Sequence, residues 1–450
     1  MKEVLDNGFI KLLASDWRYA SAIVGLKRFF DTLNIKEGYS YNEDEFIYNP
    51  EFLTKSNFAQ FIDLWYGTKL KYNEALSLLE RNDSFEAETI KNINTLLTQN
   101  KVLKDIFGTH KFTGENVEEI KNLIEVNKEI FAINLFSNMK TMYSKYCNKN
   151  SLFNDDSGIC RLVGYYEDLG KKQKQLCWFF DKTTYSYNDC IEFDFVPFGF
   201  SYGYNSCFIN CNYDLNSLFK VNDDLKRSIG DKDKPNFADI ISSITDLISY
   251  NCEIIVNKSY SNPDGTIDNV GYFSTMLFSN EIIEKIEESK PYLEKLNYIK
   301  QKNNFINIKE LAYEYIANNM NLNRIIVSLF KIEKTNYYID SLIKINLIIN
   351  ERNNNMEEKI KRVKACAYHV KQQLKKNQVN SFKQKLISAV TYDDKDSVFA
   401  ILTKLSDTSG VSLSFIYDIL ENYDDNKALV YSFINALSDF PSGDQKTDKN

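Results

Sequence analysis

The chain has 450 residues, of which 43% are hydrophobic and 14% aromatic, so it can bury a substantial core and is not an intrinsically disordered protein. This length predicts more than one domain. The formal net charge of −7 excludes a protein that coats nucleic acid by bulk positive charge, so any such contact must come from a local basic surface.

Neither a membrane span nor a leader peptide is predicted. No run of 18 consecutive apolar residues occurs. The N-terminus lacks the apolar stretch of a signal peptide. We therefore predict a cytoplasmic protein with no membrane partner.

The chain carries no recognisable catalytic motif. It has only two histidines, His110 and His369, and no P-loop, HExxH or GxSxG pattern. Acidic pairs such as Asp155–Asp156 lie in polar settings typical of helix caps and solvated loops rather than two-metal nuclease sites. The cysteines form no CxxC pair and are predicted to be thiols. The alternative is a zinc site from Cys147, Cys160, Cys177 and Cys190, whose gaps are poor ligand spacing. We expect no enzyme activity and no cofactor.

The first predicted helix runs from Trp17 to about Leu33. Asp16 precedes it as a cap, and apolar residues follow at helical spacing. Gly25 is unfavourable inside a helix by about 1 kcal/mol, which predicts a close packing partner there. Lys27 and Arg28 lie off the apolar stripe, so they are predicted to form a solvated flank, with phosphate contact as the alternative.

A largely helical segment follows. Residues 39–66 predict a short strand or loop and then a helix at Asn57–Tyr66. A helical pattern continues from Asn73 to Tyr146, interrupted near Gly108 and Gly114.

Residues 150–222 are predicted to be rich in β-structure. Strands are expected at Arg161–Tyr166 and Leu176–Phe180. The aromatic run Phe193–Phe200 favours a strand that forms a hairpin-like core with Ser206–Ile209. The next elements are a short helix at Leu215–Phe219 capped by Asp214 or Asn216, a helix at Phe237–Ile248, and strands at Glu253–Val256 and Val270–Phe278 joined by a turn at Asn262–Gly265.

After Glu281 the pattern is helical to the end of the chain. An apolar stripe marks one helix: Ile360, Val363, Ala367, Val370 and Leu374. Shorter helices are predicted at Ser381–Val390, Asp396–Leu405, Leu413–Glu421 and Lys427–Leu437. Together they predict a small antiparallel helix bundle.

Two lysine-rich segments are candidate nucleic-acid contacts. Lys171, Lys172 and Lys174 crowd into a short loop, read either as a hairpin tip or as a phosphate-contacting loop. From Lys359 to Tyr392 there are nine Lys or Arg and no Asp or Glu. Solvated helices usually mix charge signs, so this run favours an anionic partner. Its candidate residues are Lys361, Lys364, Lys371 and Lys375 on one helical face, with Lys359, Arg362 and Lys376 on the flank.

Three patches resemble the large-subunit family of type I CRISPR Cascade complexes, most closely the type I-B group. They are Asp16-Trp17-x-Tyr19-xxx-Ile23-Val24-Gly25-Leu26, Pro197-Phe198-Gly199-Phe200 and Phe208-Ile209-Asn210-x-Asn212-Tyr213. The segment Phe382–Leu437 is also similar to that family's terminal helical bundle. Some members carry paired CxxC motifs that this chain lacks, so no metal ligand is carried over.

The resemblance implies a non-catalytic subunit that holds guide RNA and target double-stranded DNA together with other Cascade subunits. It implies roles in PAM recognition, duplex opening and recruitment of a helicase-nuclease, with sequence specificity left to RNA–DNA pairing. It also implies that the small-subunit-like C-terminus stabilises the displaced strand. In some relatives the small subunit arises by internal initiation, for which Met320 and Met356 are candidates here. Replacing each Met codon and blotting for a short C-terminal product tests this hypothesis.

The elements predict an α+β fold. A mixed, mostly helical N-terminal body over 1–305, β-rich at about 150–280, contains a central antiparallel β region. An all-α C-terminal helix bundle follows over 306–440, most clearly 356–440, with a disordered tail at 441–450. Two alternatives to the Cascade subunit remain: a helical scaffold that binds only protein, and a metal-dependent nuclease using scattered carboxylates.

Overall fold

The computed structural model describes residues 1–81, 84–139, 141–143, 147, 152–153, 161–162, 189–201, 206–211, 213–230, 236–261, 267–301, 304–332, 335–351 and 355–438. The chain divides into two compact units, Met1–Leu277 and Phe278–Asn450. The α+β prediction is confirmed, whereas the boundary after residue 305 stays a prediction. The predicted strand Leu176–Phe180, most of the predicted strand Arg161–Tyr166 and the tail 441–450 lie outside the described residues.

The N-terminal unit begins with a four-stranded antiparallel sheet in the order β1-β2-β4-β3. Its strands are β1 (Lys2–Val4), β2 (Ile10–Leu13), β3 (Tyr39–Tyr41) and β4 (Glu45–Tyr48). Neither β1 nor β2 was predicted from the sequence. The first helices are α1 (Trp17–Thr32), α2 (Lys55–Tyr66), α3 (Lys71–Arg81), α4 (Ala87–Thr98), α5 (Lys101–Phe107) and α6 (Val117–Asn138).

Helix α1 lies at the centre of this unit and contacts α2 and β2. Asp16 caps it, because its carboxylate accepts from the backbone N–H of Arg18 at 2.8 Å and of Tyr19 at 3.3 Å. The predicted helix and cap are therefore confirmed. Apolar side chains on several sides of the helix are fully buried, so α1 is a core helix rather than a surface helix.

The predicted strand Phe193–Phe200 is wrong. The segment instead forms a 3-10 turn at Ile191–Phe195 and the short helix α7 (Val196–Gly199), with Pro197 in the first turn, where a missing N–H is tolerated. Phe198 packs edge-on against Phe61 at 4.8 Å. An aromatic run buried on several sides has no face pattern that separates strand from helix, and this explains the error.

A three-stranded sheet in the order β5-β6-β7 completes the unit. Its strands are β5 (Cys207–Asn210), β6 (Cys252–Ser261) and β7 (Ile267–Phe278), and β5 pairs antiparallel with β6 rather than with the aromatic run. The two later predicted strands are thus confirmed. Asp214 caps the helix α8 (Leu215–Ile229), which is longer than predicted, and α9 (Phe237–Leu247) follows as expected.

The C-terminal unit is mainly helical. One prediction fails, because a two-stranded hairpin, β8 (Tyr298–Gln301) with β9 (Asn304–Asn307), interrupts the segment expected to be all helix. Its strands are only four residues long and place apolar residues side by side, so no alternating pattern marks them in the sequence. The helices are α10 (Asn280–Leu293), α11 (Ile308–Ala317), α12 (Asn323–Leu329), α13 (Asn336–Ile349), α14 (Met356–Gln373), α15 (Lys376–Thr391), α16 (Lys395–Ser409), α17 (Ile416–Glu421) and α18 (Tyr423–Ser438). Among the described helices, none is both long and apolar enough to span a bilayer.

Candidate nucleic-acid interface

The lysine-rich run predicted from the sequence lies on α14 and the start of α15. The orientation of α14 is set by its apolar stripe, since Ile360, Val363, Ala367 and Val370 are all buried. The stripe packs mainly against α18. The opposite side of α14 is consequently exposed to solvent.

The acid-free run does not form an acid-free surface. Lys359 pairs with Asp418 at 2.7 Å, and Lys364 pairs with Asp340, also at 2.7 Å. Both carboxylates come from other helices of the same unit, so a charge pattern read along one segment could not have found them. These two lysines are therefore held by internal ion pairs, which an anionic partner would have to replace.

Lys371 and Lys375 also depart from the predicted face. The ammonium group of Lys371 donates to the backbone carbonyl of Ala436 at 2.8 Å, which places this lysine against the end of α18. Lys375 is not on the helical face, because α14 ends at Gln373 and Leu374 has an extended backbone. Lys375 instead lies at the junction between α14 and α15.

Four cations of the predicted set are exposed on the outside of α14 and at its junction with α15. We call Lys361, Arg362, Lys375 and Lys376 the basic strip. The Arg362 side chain is 77% exposed, and its guanidinium lies 3.6 Å from Glu358 on the same helix, a weak surface pair. Among the candidate residues of this run, these four are therefore the most open to solvent, and hence to a polyanion.

An exposed tyrosine that sequence reasoning missed lies beside this strip. Tyr368 is 52% exposed and packs edge-on against His369 at 6.0 Å. It is seven residues after Lys361 and therefore on the same side of α14. The seven-residue spacing from Lys361 is the sequence feature from which Tyr368 could have been predicted. A ring between exposed cations offers a surface on which an unpaired base can stack.

The other basic residues singled out from the sequence lie in different environments or outside the described residues. Lys171, Lys172 and Lys174 lie outside the described residues. Lys27 pairs with Asp31 at 2.6 Å on α1. Arg28 is only 7% exposed, so both of its predicted roles, a solvated flank and a phosphate contact, are wrong.

Arg28 acts as an internal cap. Its guanidinium donates to three successive backbone carbonyls at the end of α7, those of Phe198, Gly199 and Phe200, at 2.6 to 3.2 Å. It also reaches the carboxylate of Asp223 on α8 at 2.8 Å. One side chain thus satisfies carbonyls that a four-residue helix leaves open.

Two buried carboxylates of the N-terminal unit likewise bind other side chains of the same unit. The carboxylate of Glu192 accepts hydrogen bonds from Tyr48 and from Lys2. Burial alone would raise the pKa of Glu192, but these two partners hold that pKa below its usual value. Asp194 pairs with Arg161 at 2.5 Å, and its burial raises the pKa to about 6. Within the described ranges, no three His, Cys, Asp or Glu residues group as metal ligands.

One comparison with known proteins gives a match. The model of the family described as CRISPR-associated protein Csx8 matches residues 10–239 and 220–437. No curated protein matches the chain.

Proposed function

Because the chain belongs to the CRISPR-associated protein Csx8 family, we propose that it is a non-catalytic nucleic-acid-binding subunit of a CRISPR effector complex. The observation that carries this proposal is the basic strip on the exposed side of α14 and at its junction with α15, with Tyr368 beside it. A row of cations with an aromatic ring suits the backbone and bases of a single strand. The acidic net charge of the chain makes such a local surface the natural place for this contact.

In its finer form, the proposal makes the chain the large subunit of a type I-B-like Cascade complex. It would hold guide RNA and target double-stranded DNA with other Cascade subunits, take part in PAM recognition and duplex opening, and recruit a helicase-nuclease. The C-terminal unit would then stabilise the displaced strand. Residues Lys171, Lys172 and Lys174, with the lysines of α14, stay candidate contacts in this scheme.

The helix boundaries bear on internal initiation. Met356 is the first residue of α14, so a product that begins there would contain the whole of α14 through α18. Met320 lies between α11 and α12, and a product from it would include one further helix pair, α12 and α13. A separate small subunit of either length remains part of the proposal.

Charge reversal of the basic strip tests the nucleic-acid contact. We expect the variant with Lys361, Arg362, Lys375 and Lys376 all changed to Glu to bind oligothymidylate at least about tenfold more weakly than the unaltered chain. The slope of log affinity against log salt should fall by about one for each phosphate that the variant no longer binds. Fluorescence anisotropy of the purified full chain at several salt concentrations measures both quantities.

A matched control separates local contact from net charge. Lys295, Lys331, Lys395 and Lys404 are also exposed in the C-terminal unit, and changing them to Glu alters the net charge by the same amount. This control should keep most of the affinity. Equally weakened binding in both variants would show a bulk charge effect, and no binding by the unaltered chain would favour a scaffold that contacts only protein.

Replacing Tyr368 tests whether the bound strand is unpaired. We expect Tyr368→Ala to weaken binding of a single strand about tenfold, since a stacked base contributes about 1–3 kcal/mol. Tyr368→Phe should retain the affinity, and duplex DNA should show little difference among the three proteins because its bases are not available. Equal weakening for single strand and duplex would contradict the stacking role.

A further inference from the structure

A second candidate site lies in the N-terminal unit, where α1 ends and β3 begins. A cavity of about 460 Å³ opens there, within the size range of small-ligand sites. Asn34 has a positive φ of 56°, which turns the chain out of α1. The lining residues are Phe30, Asp31, Asn34, Ile35, Lys36, Tyr39, Ser40 and Tyr41.

One wall of this cavity is aromatic. Tyr39 and Tyr41 alternate along β3 and so lie on the same face of the strand, with their rings 4° from parallel and 6.3 Å apart. Tyr39 is fixed by stacking on Phe46 at 5.4 Å. Tyr41 is braced edge-on by Phe219 at 5.0 Å and still exposes 39% of its surface. The wall is thus a firmly held ring system in which Tyr41 stays partly exposed to solvent.

The carboxylate of the cavity is also held in place. One oxygen of Asp31 accepts from the hydroxyl of Tyr39 at 2.5 Å, and the other accepts from Lys27 at 2.6 Å. A carboxylate offers about four acceptor positions, so Asp31 can take further N–H donors from a ligand. Lys36 is exposed and adds a positive charge at the same cavity.

We propose that this cavity binds one unpaired nucleobase of a nucleic acid, stacked on Tyr41, with its N–H groups donated to Asp31 and its phosphate near Lys36. This inference rests on the proposed function only in assuming that the chain meets nucleic acid. Guanine fits best, because its neighbouring ring N–H and amino group can donate together to one carboxylate. Thymine, with a single N–H, fits worst. The cavity shares no residue with the basic strip, which belongs to the other unit of the chain.

The test uses the purified full chain and a pentanucleotide of thymidines with 2-aminopurine at its centre. Stacking on Tyr41 should quench the fluorescence of this base as protein is added. An unlabelled pentanucleotide with a central guanine should displace the probe about tenfold better than one made only of thymidine, as expected for one additional base contact.

Three variants decide the outcome. Tyr41→Ala should weaken binding of the probe about tenfold, Tyr41→Phe should retain it, and Asp31→Asn should abolish the preference for guanine. Thermal melting of each variant controls for loss of folding. Unchanged quenching in Tyr41→Ala, equal competition by guanine and thymine, or no binding of the probe would each overturn the inference.

The basic-strip variant separates this inference from the proposed function. With its four strip residues changed to Glu, the chain should still quench the probe, because the cavity is intact. If the cavity test fails while the strip variant binds long single strands more weakly, only the cavity inference is wrong. If the cavity binds the probe and the strip variant binds long single strands as tightly as the unaltered chain, the strip proposal is wrong and the cavity inference stands.

Discussion

Replacing Gly25 by alanine is expected to destabilise the N-terminal unit by about 3 kcal/mol or more, although alanine is ordinarily the better helix residue by about 1 kcal/mol. A Cβ at this position would lie 2.0 Å from the backbone carbonyl oxygen of Phe195. A reciprocal approach occurs at Gly199, where a Cβ would lie 2.2 Å from the carbonyl oxygen of Ser21. Both obstacles are backbone atoms, so α1 and the Ile191–Gly199 segment must move apart to admit the methyl group.

Denaturant unfolding monitored by circular dichroism measures the destabilisation, with Gly410→Ala as the matched control. Gly410 ends α16 with a φ of 67° and has open space where a Cβ would be. Its replacement meets only backbone strain of about 1–2 kcal/mol. A Gly25→Ala variant as stable as the unaltered chain would contradict the backbone-to-backbone packing.

Replacing Arg28 by alanine is expected to cost about 3–5 kcal/mol in the free energy of unfolding, because it leaves several buried carbonyl acceptors without a donor, at about 1–3 kcal/mol for an unsatisfied buried group. The cost should exceed that of the ion pair alone, because the carbonyls of Phe198, Gly199 and Phe200 are also left without their donor. Arg28→Lys should recover little, since a single ammonium group cannot reproduce the fork of donors.

Asp223→Ala provides the comparison for this second prediction. The side chain of Asp223 is 46% exposed. Its removal takes away the charge partner of Arg28 but leaves the hydrogen bonds from Arg28 to the backbone carbonyls. We expect a destabilisation of about 1 kcal/mol by denaturant unfolding. Equal destabilisation in the two variants would mean that the ion pair, and not the capping of α7, is the stabilising contact.

What the sequence predicts well in this chain is local. Asp16 caps α1 and Asp214 caps α8 because a capping bond joins residues two or three positions apart. The apolar stripe of α14 has a helical period along most of its length, so its buried face follows from the spacing. Such features need no knowledge of the rest of the fold.

What the sequence predicts poorly depends on distant segments. The aromatic run Phe193–Phe200 is compatible with strand or helix until its neighbours are known. Arg28 is off the apolar stripe of α1, and only the arrival of α7 and α8 makes it a buried cap. Lys359 and Lys364 belong to an acid-free run, yet Asp418 and Asp340 reach them from other helices. The predicted basic face is therefore interrupted by internal ion pairs, which leave the basic strip as its most exposed part.

The aromatic cavity at β3 also depends on residues from distant segments. Tyr39 and Tyr41 alternate as a strand requires, but their role as a cavity wall needs Asp31 from α1 and Phe219 from α8. No single segment carries that pattern. In this protein the sequence thus predicts most helices and their caps, misses several short strands, and does not reveal a cavity whose walls come from distant segments.

The central claim is that the chain is a nucleic-acid-binding subunit of a CRISPR effector complex, and the nucleic acid recovered with it is the most direct test. The tagged full chain, expressed together with the products of its neighbouring genes and purified at moderate salt, should carry an RNA whose sequence contains the CRISPR repeat, in constant ratio to the protein. Recovery of the chain with its partner proteins but without such RNA would contradict the claim.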